Sequence, residues 1–374
     1  MKKLCVVDVM GALYRQRIYQ MLDSQYDCIW LFGKPEGGIK SMDLSLLKEV
    51  HEADIKKVFK SIYIQNGLLK YLFARKVSTF LMNGEPFGLT SWLVLFLSKL
   101  LPNKKVYLWS HGWYGREGFV KKLMKKVYFG LADGTFLYGN YAKELMIKEG
   151  FDANKLFVIH NSLNYEQQLE FRNELSPSNI YYEHFGNNHP ILLFVGRLTK
   201  VKRIDLLFES LSLLKRQNKE FNVVLIGSGS EEVYLKRLSL KLGMADSVWF
   251  YGACYDEKTN AELIYNADLC VSPGNVGLTA IHTLMFGTPV VTHNDFTMQM
   301  PEFESIKDQV TGAFFEYNNA QSLAECIDKW FECNSAKRDV VRKECFEEID
   351  NQWNPNFQMN VLKQYCVKLI FNRL

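Results

Sequence analysis

The chain has 374 residues, 48% of them hydrophobic and 23% charged, with a formal net charge of +4. That profile suits a folded protein of about two domains, long enough to bury a core without disulfides or structural metals. The eight cysteines are scattered, with no Cys-x-x-Cys pair and no histidine at zinc spacing, and no apolar run reaches bilayer length, so a reduced, cytoplasmic setting is expected.

The first apolar run, Leu4 to Val9, carries Asp8 and reads as a buried strand rather than a secretory leader. Further strands are predicted over Cys28–Phe32, Ser78–Met82 and Lys104–Ser110, with helical patterns between them. A parallel, doubly wound sheet follows. Two stretches in this half, Ile55 to Tyr63 and Lys121 to Phe129, interleave lysines with apolar residues at helical spacing. From residue 50 to 130 there are about 14 basic and about 4 acidic residues. Amphipathic basic helices suit docking on anionic lipid head groups, and a plain solvated helix face carries equal weight. No nucleic-acid motif accompanies the charge, so nucleic acid is not an expected partner.

Polar, Gly and Pro residues cluster from Leu175 to Pro190, where the domain boundary is placed. Beyond it, strands are predicted over Ile191–Val195, Asn222–Ile226, Ser247–Tyr251, Leu269–Ser272 and Pro289–Thr292, enough for a second Rossmann-like domain. Residues from Gln321 onward read as two or three helices broken at Trp353–Phe357, the last crossing back to the first domain.

Three segments could carry chemistry. In the first, a strand ends at Gly196, and Arg197 and Lys202 follow ahead of a helix. Two cations at a strand's carboxyl end suit a diphosphate, although such residues are also common in solvent. The second is Gly227-Ser-Gly229, a strand-to-helix turn too short for a dinucleotide fingerprint or a P-loop. In the third, a strand ends at Ser272, a loop holds Gly274 and Gly277, and a helix from about Leu278 to Phe286 turns its amides toward the loop. It reads as an anion site or as a plain crossover.

In order and spacing, Gly196-Arg197 through Lys202, Gly227-Ser-Gly229, Phe250-Tyr-Gly252, Asn266 to Pro273, and Gly277-Leu278 through Pro289-Val290 resemble the retaining nucleotide-sugar glycosyltransferases of GT-B family four. The likeness covers residues 190 to 330. The first half resembles that family only in its β-α rhythm and in the strand-end histidine of Trp109-Ser-His-Gly-Trp113.

The resemblance implies an α/β GT-B fold: two Rossmann-like domains facing across a cleft, 1–180 for the acceptor and 190–350 for the donor, with 351–374 packing back on the first. It implies retaining, metal-independent sugar transfer from a UDP- or GDP-sugar, which is the donor substrate rather than a cofactor. The acceptor would be a glycan or a lipid-linked acceptor; with its basic, lysine-rich first half, the protein is expected in the cytoplasm, resting peripherally on the inner face of the cell membrane. His111, Arg197 and Lys202 would be catalytic, the two cations neutralising the departing diphosphate. Gly196 and Gly227 would admit the donor, and Gly252, Ala253 and Cys254 would line its base. Asn275, Val276 and Gly277 would meet sugar hydroxyls through their backbone, and the amides of Leu278 and Thr279 would hold a phosphate.

One departure stands out. The family usually carries two glutamates, one for donor sugar hydroxyls and one for the ribose, and their places fall here on Gly274 and His282. His282 can still hydrogen-bond a hydroxyl, whereas Gly274 offers only backbone. Glu302 and Glu304 are nearby substitutes, with a solvated loop as the simpler expectation for each. The alternatives to an active transferase are a non-catalytic nucleotide-sugar-binding scaffold and a nucleotide-sugar 2-epimerase on the same fold.

Overall fold

The computed structural model describes residues 2–34 and 40–367. The chain divides into two compact units, Met1–Asn164 with Asn354–Leu374, and Tyr165–Trp353.

In the first unit the chain runs β1 (Lys3–Asp8), α1 (Gln16–Gln25), β2 (Cys28–Phe32), β3 (Val50–Glu52), β4 (Ile55–Phe59), β5 (Ile62–Gln65) and α2 (Leu68–Phe73). It continues through β6 (Val77–Asn83), α3 (Leu89–Ser98), β7 (Lys105–Ser110), α4 (Phe119–Gly130), β8 (Gly134–Leu137), α5 (Asn140–Lys148) and β9 (Leu156–Val158). The main sheet is parallel, in the order β3-β2-β1-β6-β7-β8-β9. Strand order therefore reverses between β1 and β6, the place where open α/β sheets bind ligands beyond their carboxyl ends.

In the second unit the chain forms α6 (Tyr165–Glu174), α7 (Ile180–Phe185), β10 (Ile191–Val195), α8 (Ile204–Lys215), β11 (Asn222–Ile226) and α9 (Glu232–Lys241). There follow β12 (Val248–Gly252), α10 (Glu257–Asn266), β13 (Leu269–Ser272), α11 (Thr279–Met285), β14 (Val290–His293), β15 (Gly312–Phe315), α12 (Ala320–Asn334) and α13 (Arg338–Gln352). Its parallel sheet has the order β12-β11-β10-β13-β14-β15, with the reversal between β10 and β13. Both sheets are Rossmann-like.

The boundary lies earlier than the composition of residues 175–190 suggested. Helix α6 belongs to the second unit because its polar side chains are satisfied there. Gln168 donates to Glu257 at 2.7 Å, and Arg172 forms a bidentate pair with Asp350 at 2.8 and 3.0 Å. At the other end, α14 (Pro355–Leu362) returns to the first unit, where Met359 and Leu362 are buried with Leu4, Val6 and Trp30. Gln358 fixes the return by donating to the His160 carbonyl at 2.9 Å and accepting from Ser162 Oγ at 2.7 Å.

One lysine-rich stretch is not helical. Residues 55–65 form an antiparallel hairpin with Lys57 opposite Tyr63, turning at Lys60 in the left-handed region. Its Val, Phe, Ile and Tyr residues favour extended backbone, and the tertiary setting overrides the helical spacing of its lysines. The other stretch is helical, as α4, yet Lys125 points inward. It donates to the Gly112 carbonyl and to Glu117 Oε1, each at 2.6 Å, so it belongs to the core and not to a lipid-facing set.

Candidate donor site in the second unit

The carboxyl ends of β10 to β13 are held together by backbone. Gly196 N donates to Ile226 O at 2.9 Å, and Gly227 N donates to Gly252 O at 2.8 Å. At Gly227, with φ +144°, a Cβ would lie 1.8 Å from the Gly196 carbonyl oxygen, so only glycine permits this approach. The sequence assigned these glycines to a donor. Gly227 is needed first for the two loops to touch.

The loop after β13 is braced in the same way. Gly274 N donates to Lys202 O at 3.0 Å, and Thr292 Oγ1 faces the carbonyls of Ser272 and Gly274 at 2.8 and 3.2 Å. Gln299 Oε1 accepts from Val276 N at 2.9 Å while its Nε2 donates to Thr292 Oγ1 at 2.8 Å. A Cβ at Gly274 would sit 2.0 Å from the Val201 carbonyl oxygen and 2.8 Å from Lys202 Cα. No side chain fits there, so the family's first glutamate is sterically excluded by this loop arrangement.

Lys202 fills part of the space instead. Its Nζ donates to Asn275 O at 2.6 Å and to Asn275 Oδ1 at 2.9 Å. Burial and the nearby Arg197 charge push its pKa down, Glu302 pushes it up, and the outcome is about 8. Arg197 is exposed, and its side chain makes no hydrogen bond or ion pair among the described residues. Two cations that repel each other at a strand-order reversal are stabilised by an incoming anion. Glu302 is not on a solvated loop; it is buried, within the short turn Pro301–Ser305.

Thr279, the first residue of α11, donates its hydroxyl to Val195 O at 2.8 Å. Leu278 precedes it as the cap. One turn on, His282 Nε2 lies 2.9 Å from Glu257 Oε1. Burial raises the Glu257 pKa, but the His282 charge and the hydrogen bonds from His282 and Gln168 outweigh it, leaving the carboxyl below its ordinary range. Ala253 is exposed and Cys254 half-buried, in the loop joining β12 to α10. Glu257, Gln168 and Gln299 escaped the sequence reading, because an acid in a helix's first turn and two lone glutamines carry no signal of their partners.

His111 lies in the first unit, past the end of β7. It lines a cavity of about 140 Å³ with Asp8, Arg15, Asn83, Glu85 and Tyr138. Its Nδ1 is buried without a hydrogen-bond partner. Burial, with the Arg15 and Lys125 charges, lowers its pKa to about 4, so the ring is neutral at physiological pH.

Residues 182–345 match the family described as glycosyl transferases group 1. That match lies wholly within the second unit, Tyr165–Trp353. An uncharacterized glycosyltransferase of Methanocaldococcus jannaschii is 29% identical over 217 residues, spanning 52% of each chain. This chain thus spans about half the length of that curated relative. Among solved structures, a glycosyltransferase of Rickettsia africae superposes with TM-score 0.71 at 19% identity over 99% of both chains. Anabaena Alr3699/HepE, solved in complex with UDP, superposes with TM-score 0.72 at 15% identity over 99% of this chain and 100% of its own. Together with the two parallel Rossmann-like sheets, these likenesses establish the GT-B fold. The group 1 match covers the β10 to α11 apparatus, with Arg197, Lys202 and His282 inside it.

Proposed function

We propose that the protein transfers a sugar from a UDP- or GDP-sugar to a hydroxyl of a glycan or lipid-linked acceptor, with retention at the anomeric carbon, in surface polysaccharide or glycolipid synthesis. The observation that carries this is the Arg197–Lys202 pair at the strand-order reversal of a group 1 domain. As the anomeric carbon gains the acceptor oxygen, its bond to the diphosphate breaks, the electron pair leaves on the β-phosphate oxygen, and the acceptor's hydroxyl proton passes to the departing diphosphate. Arg197 and Lys202 neutralise that charge, Lys202 reaching it from its seat on Asn275. His111 is the first unit's candidate, as a neutral hydrogen-bonding ring. UDP in the Anabaena structure supports a nucleoside diphosphate as the ligand class.

The test is turnover of UDP- and GDP-sugars, with the product's anomeric configuration read by NMR. Arg197→Ala and Lys202→Ala should each lower turnover about 10- to 100-fold, the loss of one charge-assisted bond of about 1.5–3 kcal/mol. Full turnover in both variants overturns the clamp. Donor binding with no turnover on any acceptor would favour the scaffold reading.

We further propose that the first unit docks on anionic membrane. Phe119, Val120 and Leu123 on α4, and Val58 and Phe59 at the hairpin tip, are all more than half exposed among lysines. Both elements meet at Phe87: Tyr63 N donates to its carbonyl at 3.1 Å, and Lys121 Nζ lies 6.0 Å from its ring. Exposed aromatic and aliphatic side chains flanked by lysines match a lipid interface. No helix among the described residues is long and apolar enough to cross a membrane.

A further inference from the structure

The candidate donor site lies at the carboxyl ends of the second unit's strands, and a separate cavity lies at their amino ends. It is bounded by Pro190 just before β10, Asp268 just before β13, Pro289 just before β14, and the junction of α12 with α13. Strands of four or five residues put roughly 15 Å between the two ends of the sheet. The cavity holds about 230 Å³. Pockets for drug-sized ligands start at about 300 Å³, so this one suits a single ring and is too small for a nucleotide.

The groups on its wall decide what that ring can be. Its charged residues are Asp268 and Arg338, which form an ion pair, so the cavity offers an anion no net charge. Arg338 is further held by the carbonyls of Tyr265 at 3.2 Å and Ala267 at 2.9 Å. Two other donors are uncommitted. Asn334, the last residue of α12, has its Nδ2 buried without a hydrogen-bond partner. Trp330, one turn earlier on the same helix face, is only 3% exposed, and its indole N–H makes no hydrogen bond among the described residues. Unpaired buried donors are costly, and a ligand oxygen relieves that cost. Asp268 is the acceptor: it takes Arg338 on Oδ1 and Ile191 N on Oδ2 at 2.8 Å, which leaves about two of its carboxylate's four or so lone-pair positions. Phe331 and the two prolines supply apolar wall. An uncharged ligand with oxygens for two N–H donors, a hydroxyl for a carboxylate and a C–H face for the apolar wall is a sugar ring.

We propose that this cavity is a second saccharide site, remote from the transfer chemistry, which holds one neutral sugar residue of a glycan through Asn334, Trp330 and Asp268. The site does not rest on the donor-site reading, because it is built from the opposite ends of the strands. Where that reading also holds, the protein grips a glycan at a point the donor never visits, and the local concentration of glycan ends rises around the enzyme.

The experiment is hydrogen-exchange mass spectrometry of the full chain with the methyl glycosides of glucose, galactose, mannose and N-acetylglucosamine, and with inorganic phosphate. At least one glycoside should protect backbone amides within residues 330–341, and phosphate should not. Asn334→Leu keeps the bulk of the side chain and removes the donor; it should weaken binding of that glycoside about tenfold, the order expected for one lost hydrogen bond. The site is overturned if no glycoside protects this segment, if protection falls only on other segments, or if phosphate protects it as well as any glycoside does. Undiminished binding by Asn334→Leu overturns it too. Should that variant fail to fold, the wild-type exchange map decides by itself.

Discussion

Gly274 shows how one missing side chain can be read in two ways. From the sequence it is a lost glutamate; in the fold it is the only residue that lets the β13 loop lie against Val201 and Lys202. Gly274→Ala should therefore destabilise the second unit by about 1–3 kcal/mol through forced backbone movement, measurable by chemical denaturation. A neutral or stabilising result would mean that the loop is looser than its geometry. Lys202 makes a second prediction at this scale. With a pKa near 8, it is charged below that pH and loses its proton above it. Diphosphate affinity should fall about tenfold between pH 7 and pH 9, because only the protonated fraction binds. Lys202→Arg should flatten that profile, and an equally steep profile in the variant would assign the titration to another group. The sequence made Arg197 and Lys202 legible because charge next to a strand-end glycine is a local pattern. Glu257 and Gln299 were not legible, since each acts through a partner more than twenty residues away.

Among the elements, buried runs of four or more apolar residues were legible to within a residue or two, as at β2, β10 and β11. Short strands such as β3 (Val50–Glu52), β8 (Gly134–Leu137) and β9 (Leu156–Val158) were not, because three or four residues show no period and owe their conformation to a neighbour's ladder. The β4–β5 hairpin was misread for a related reason: lysines one, two and five positions after Ile55 fit a helix face as well as a solvated ribbon. Its tip and α4 define the docking test. Replacing Phe59, Phe119 and Val120 with serine should lower binding to vesicles containing anionic lipid, measured by co-sedimentation, while leaving binding of free UDP unchanged. Equal sedimentation of variant and wild type would remove the membrane from this face. Charge reversal at Lys121, which is exposed, should act in the same direction, whereas Lys125 must be left alone because it holds the Gly112 carbonyl.

At the scale of the whole molecule, the two Rossmann-like units and their parallel sheets were expected from the repeated β-α rhythm, while their strand orders and the division at Asn164 were not. Composition marks where chain becomes polar, but the bidentate Arg172–Asp350 pair decides to which unit α6 belongs. The return of α14 predicts a defect at a distance in sequence. Met359→Ala should destabilise the first unit by about 2–5 kcal/mol, the range for truncating a buried methionine, although the residue lies almost two hundred positions beyond Asn164. Protection of first-unit amides in hydrogen exchange would report it, and an effect confined to the second unit would contradict the packing of Met359 with Leu4 and Trp30.

That same return sets an order of assembly. Because synthesis runs from the amino end and domains tend to fold as they emerge, the first unit is made without the helix that closes one side of its core. It must wait, with the surface around Leu4, Val6 and Trp30 uncovered, until the whole second unit has left the ribosome. The half that is begun first is thus the half completed last, and a chain arrested after Trp353 would hold a finished second unit beside an unfinished first.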